Sequence, residues 1–160
     1  MITNFEQIFE QLRSKAKKRL VAAWAVDDHT VSAAYQAVKL GIVDATLVGD
    51  ADMIADVKEE LKAISTAVDM INNKEGDILM KGLCSTDKYM RAILKKEGGL
   101  LPPKAVLSHV AVLESPHYHK LMIISDMAVI PAPDLKQKEA ITKYVVNTAK
   151  ALQIEKPKVA

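Results

Sequence analysis

The stretch RLVAAWAV, residues 19–26, limits the fold more than any other feature of the chain. Eight nearly unbroken apolar positions leave no wet face, which predicts a strand buried on both sides. Asp27, Asp28 and Thr30 follow as cap-type residues, and VSAAYQAVKL then runs at helical spacing to Gly41. The alternation continues: ATLVGD reads as a strand, ADMIADVKEELKAI as a helix, GDILMKG as a strand, and STDKYMRAILKKEGG as a helix ended by paired glycines. TAVDMI, residues 66–71, reads as a short strand between them. Strands that alternate with helices of this length predict an α/β fold, three layers deep, with a mostly parallel sheet covered on both faces.

The two ends extend this pattern. Phe5, Ile8, Phe9, Leu12, Ala16 and Leu20 recur at helical spacing and predict an amphipathic opening helix. KAVLSHVAVLES and KLMIISDMAVI are two apolar strands with no helix between them, so an antiparallel pair is expected. A final helix starts at Asp134, with Gln137 in capping-box position and Pro133 before it. Ile141, Val145, Thr148 and Leu152 form its inner stripe, and Lys136, Lys138, Lys143 and Lys150 face solvent. IEKPKVA reads as a turn feeding a new strand. The expected organisation is a first α/β domain over 1–155, with 156–160 opening the link to a second domain.

Composition narrows the function. The formal charge of +2 is spread along the chain, and only four tyrosines, two phenylalanines and one tryptophan are present. Neither a basic stripe nor stacking platforms are on offer, which argues against a nucleic-acid partner. The N-terminus has no continuous apolar core of the signal-peptide kind, and no apolar run reaches membrane-spanning length. Cys84 is the single cysteine, so no intramolecular disulfide can form, in keeping with a reducing, cytoplasmic setting.

In open α/β sheets ligands sit beyond the carboxyl ends of the strands. Three polar turns fall there: 27–30, 81–86 and 125–126. The middle one is the richest. Gly82 permits close backbone approach, Ser85 and Thr86 open a helix whose free N–H groups favour an anion, and Lys81 adds a charge. Arg91 can grip phosphate in a fork if its side chain turns back, or it can pair with Asp87 at i,i+4 on the surface. Both readings stay open on spacing alone. Neither GxxxxGK[ST] nor GxGxxG occurs.

Cys84 reads as a small buried hydrophobe, because no base is assured beside it. His109 is either a ligand contact or a core histidine. His117 and His119 lack the companion ligands of a zinc site, and Asp126 alone cannot make a paired-carboxylate site.

Together these residues resemble the first domain of the phosphate acetyl/butyryl transferase family, with the butyryltransferase branch nearest. The resemblance rests on AVKLGIVDATLVGD, DILMKGLCSTDKYMRAILKKEGGL, LSHVAVLESPHYHKLMIISDMAVIPAPDLKQKEAI and ALQIEKPKVA, most of residues 35–160. It implies reversible acyl transfer between coenzyme A and inorganic phosphate, without a metal or a tightly bound cofactor, in a homodimer. It also implies a likeness in fold to half of an isocitrate or isopropylmalate dehydrogenase. Arg91, Ser85 and Thr86 match the family's catalytic arginine and Ser-Thr pair, Lys81-Gly82 its KG, Ser108-His109 the branch's SH pair, and Ser125-Asp126 a polar strand end lining the pocket.

Two departures stand out: Ile130 occupies a stretch where relatives carry Asn, and LLPPKA has Lys104 where many carry arginine. The resemblance places further catalytic residues and much of the coenzyme A site in a second domain, so these 160 residues alone are expected to bind rather than turn over. Two other readings compete. One is a non-catalytic α/β anion-binding or regulatory module. The other is a metal- and nicotinamide-dependent decarboxylating dehydrogenase half, poorly served by a chain whose only arginines are Arg13, Arg19 and Arg91.

Overall fold

A computed structural model of the chain describes residues 1–49 and 57–160. Helices α1 (Phe5–Arg13), α2 (Asp28–Lys39), α3 (Val57–Asn72), α4 (Thr86–Leu94) and α5 (Leu135–Ala151) alternate with strands β1 (Lys18–Ala23), β2 (Val43–Val48), β3 (Ile78–Lys81), β4 (Ala111–Leu113) and β5 (Met122–Ile124). The chain divides into two units, residues 12–103 and residues 1–11 with 104–160.

The first of these is a doubly wound α/β sandwich. Its sheet has the order β2-β1-β3, all parallel, with Ala22 opposite Leu47 on one side and Met80 on the other. The central strand, from Leu20 to Ala23, is buried throughout, as its unbroken apolar run requires. Because side chains alternate along a strand, the core splits in two. Leu20 packs with Ala34 of α2 and Val43, whereas Val21 and Ala23 pack with Ala63, Ile64 and Ala67 of α3 and with Tyr89 of α4. The helices therefore cover opposite faces. Among the described residues Val21 and Ile64 are the largest fully buried side chains, each worth ~1.5–3 kcal/mol of apolar burial.

Several expectations need correction. TAVDMI is not a strand: residues 66–71 lie inside α3, where Ala63, Ile64, Ala67 and Val68 recur at helical spacing and bury themselves. The window was too short to separate the two periods. Residues 51–56 of the predicted helix, and Asp50 of the predicted strand before it, lie outside the described residues. The opening helix ends at Arg13 rather than Leu20, since Lys18–Leu20 are taken by β1.

In the other unit β4 and β5 pair antiparallel, as the helix-free connection predicts, but they form a sheet of their own and are only three residues each. An α/β fold with both parallel and antiparallel pairing is thus present, though not as one continuous sheet. The capping box on α5 forms with Gln137 N–H donating to Asp134 at 2.8 Å and Asp134 N–H to Gln137 at 2.8 Å. Ile141 and Ala149 are buried, and all four lysines of the predicted outer face are exposed. Ile2 is tied in by an N–H bond to Leu152 O at 3.1 Å. No strand forms within residues 154–160.

Candidate functional site

At the sheet's carboxyl edge, β1 and β3 are neighbours whose chains depart toward opposite layers. That is the switch point at which doubly wound sheets bind ligands. The turn after β1 is spent on capping: Thr30 N–H donates to Asp27 Oδ1 at 2.9 Å and its hydroxyl to Oδ2 at 2.5 Å. These bonds hold the Asp27 carboxyl below the usual carboxylate range.

The turn after β3 carries Lys81, Gly82, Ser85 and Thr86. Gly82 is buried, and its neighbour on the inside is the chain itself rather than open space. A Cβ there would lie 2.3 Å from Trp24 O and 2.6 Å from Ala23 O. Gly82 N–H donates to Ala23 O at 2.9 Å and Leu83 N–H to Trp24 O at 3.2 Å, so the close approach anchors the turn to the end of β1. Trp24 accommodates it with a left-handed φ of 56°, uncommon for so large a residue.

Ser85 is the N-cap of α4, but its side chain makes no capping bond. The cap comes from α3: Ser85 N–H donates to Glu60 Oε1 at 2.6 Å, and Lys88 Nζ donates to Glu60 Oε2. The Lys88 ammonium, followed by the Ser85 N–H, holds the Glu60 carboxyl below its ordinary range, and Lys81 adds attraction from further away. Lys81 and the Ser85 N–H, two of the groups read from the sequence, gather here with Lys88, which was not among them, and Arg91 is absent. The cluster already faces a carboxylate.

Arg91 takes the surface alternative. Its Nε lies 3.0 Å from Asp87 Oδ2, with the arginine side chain 80% exposed, so it is not folded back over the Ser85 N–H. Thr86 is exposed at the first position of α4. Cys84 is buried beside Tyr89, and burial pushes its thiol up, away from thiolate character. The structural reading of Cys84 holds. The same burial pushes the Tyr89 phenol up to about 12.

The other unit brings Ser108, His109, Ser125 and Asp126 together. The two serine hydroxyls are 3.1 Å apart, and Ser125 Oγ also donates to His109 O. Asp126 is saturated: Oδ1 accepts from Ala128 and Val129 N–H, each at 2.8 Å, and Oδ2 from His109 N–H at 3.1 Å. Desolvation pushes its carboxyl up, but the three N–H groups and the Ser108 hydroxyl outweigh it and hold the group well below the usual range. Such a carboxylate is a poor base. His109 Nδ1 is buried without a hydrogen-bond partner. His117 N–H bonds Ser115 Oγ at 3.2 Å in an exposed turn. Among the described residues no three His, Cys, Asp or Glu side chains group closely enough to hold a metal ion, and no helix is long and apolar enough to cross a membrane.

Sequence reasoning missed Glu60. In the sequence it is one acidic residue among several inside a helix, with nothing local to mark it.

A doubly wound sheet with a charged turn at its switch point defines a class of ligand-binding α/β proteins, and comparison with known proteins narrows it. The family described as phosphate acetyl/butaryl transferase matches residues 52–160. The chain belongs to that family. It is 36% identical to a phosphate butyryltransferase of Clostridium acetobutylicum over 100% of this chain, and 33% identical to a phosphate acetyltransferase of Thermotoga maritima over 97%. It spans 58% and 57% of those relatives' lengths. In fold it resembles a branched-chain phosphotransacylase from Enterococcus faecalis, with a TM-score of 0.70 over 83% of this chain and 51% of that one, at 22% identity.

Proposed function

We propose that the chain is the first part of a phosphate acyltransferase that moves an acyl group reversibly between coenzyme A and inorganic phosphate. The coenzyme A thiolate attacks the carbonyl carbon of an acyl phosphate; the C–S bond forms, the C–O bond to phosphorus breaks, and inorganic phosphate leaves with the electron pair. In the opposite direction phosphate is the nucleophile and the thiolate leaves. Coenzyme A is a cosubstrate on this reading, and the chemistry calls for no tightly bound cofactor.

Phosphate needs fixed positive charge and N–H donors, and Lys81, Ser85, Thr86 and Arg91 are the groups assigned to it. Arg91 reaches it by leaving Asp87. An exposed i,i+4 pair is worth only ~0.3–0.5 kcal/mol, so the rotation costs little. Gly82 fixes the turn, and the family resemblance assigns Ser108, His109, Ser125 and Asp126 to substrate binding as well. The thiolate and the developing oxyanion need donors on an opposing lobe that excludes water, which a second α/β domain would supply. We take 1–155 as the first domain, 156–160 as the start of the connection, and the whole as a cytoplasmic homodimer similar in fold to isocitrate and isopropylmalate dehydrogenases. The acyl chain is acetyl or butyryl.

The observation that carries this reading is the family match over residues 52–160, which contains every residue assigned a role. A second reading, an α/β module without catalysis, draws support from the Asp87–Arg91 pair and from Glu60 on the Ser85 N–H. One assay separates them: coenzyme A-dependent release of phosphate from acetyl, propionyl and butyryl phosphate by the full-length protein. Turnover that falls at least ~tenfold on Arg91→Ala is expected from losing a charged hydrogen bond. Absence of turnover with all three substrates favours the module.

A further inference from the structure

The Glu60 carboxylate occupies the N–H donor that opens α4 at the turn after β3. It takes the Ser85 N–H at 2.6 Å and the Lys88 ammonium, with Lys81 attracting it from further off. The Glu60 and Lys88 side chains are only 13% and 25% exposed, against 66% and 80% for Asp87 and Arg91. The more shielded of these two pairs is thus the one at the turn.

We propose that Glu60 is an internal competitor for phosphate: it closes the anion position at Ser85 and must be displaced for substrate to enter. The inference rests on the phosphate reading above and adds its regulation. One N–H cannot serve two anions, and a carboxylate left beside a bound phosphate repels it. The turn itself cannot yield, because Gly82 and Leu83 are bonded to the end of β1. Glu60 is the member that moves, on a flexible side chain reaching across from α3. An entering anion must therefore offer the lysines more than one carboxylate does. A phosphate dianion does so, and a monoanion of similar size does not. Apparent phosphate affinity is lowered by the fraction of molecules in which Glu60 is in place.

Calorimetric titration with inorganic phosphate tests this on the wild type, Glu60→Gln, Glu60→Ala and the control Glu59→Gln. Glu60→Gln keeps the size and an oxygen acceptor but removes the charge. Phosphate should bind about fivefold tighter or more to Glu60→Gln, and tighter again to Glu60→Ala, whose Ser85 N–H is free. Glu59 pairs instead with Lys62, so its variant should match the wild type. An equal gain in Glu59→Gln, or unchanged or weaker binding in Glu60→Gln with an unaltered circular dichroism spectrum, overturns the proposal. Binding that Arg91→Ala weakens but Glu60→Gln leaves alone removes the competitor and keeps the phosphate site. No saturable binding by any variant removes both.

Discussion

Glu60 and Asp126 are both carboxylates that accept backbone N–H groups at polar turns, and they do opposite things. Asp126 is held by three N–H groups, two of them from its own turn, and both oxygens are used. Glu60 reaches 25 residues along the chain to one N–H and one lysine side chain. The first is built into the backbone path and cannot leave without undoing the turn. The second is held by one distant N–H and a lysine side chain, and on the proposal above it exchanges for another anion. What distinguishes a structural carboxylate from a replaceable one is how much of its holding comes from local backbone.

The contrast can be broken most forcefully at the backbone that holds the Glu60 side still. Gly82→Ala drives a Cβ into the Trp24 and Ala23 carbonyls, and should cost about 3 kcal/mol in chemical denaturation. A loss under ~0.5 kcal/mol would mean that the turn is free to shift. Asp126→Asn comes next, because it removes the charge from three N–H bonds and should lower Tm clearly at pH 7. Since the folded-state pKa of Asp126 is depressed, its contribution is complete above the unfolded value of about 3.9 and fades as pH falls through the folded one. The gap between wild type and Asp126→Asn should therefore narrow below about pH 4. A gap that widened there would reverse the assignment.

Glu60→Gln should lower Tm less than Asp126→Asn does, because Glu60 holds one N–H where Asp126 holds three with both oxygens, one of which Asn replaces by an NH2 group. If the order of the two is inverted, the comparison fails. The smallest effect belongs to Arg91→Ala, which should move stability by no more than ~0.5 kcal/mol, as expected for an exposed pair. A larger loss would give Arg91 a structural task that its position does not suggest.

The sequence made some of this legible and hid the rest for physical reasons. The apolar run from Leu20 to Ala23 announced a strand buried on both faces, because it is strand-length, leaves no wet face and is closed by cap-type residues. Asp134 and Gln137 announced the start of α5, since both partners of a capping box lie within one turn. The Asp87–Arg91 pair was equally visible, being local. Glu60 was not: Glu59 and Glu60 look alike in the chain, and only helix register decides that one meets Lys62 while the other turns to Ser85 and Lys88. The task of Gly82 was hidden as well. Its glycine was legible as a close approach, but the approaching atoms are carbonyls nearly sixty residues earlier rather than a ligand. The family resemblance, read from motifs that include Gly82, Asp87, Arg91 and Asp134, was borne out by the match over 52–160.

The most direct test is amide NMR of the chain during titration with inorganic phosphate. Saturable shifts centred on Lys81, Ser85 and Thr86, weakened by Arg91→Ala, are predicted. Saturable shifts confined to other residues, or the same affinity in Arg91→Ala as in the wild type, would contradict a phosphate site at this turn.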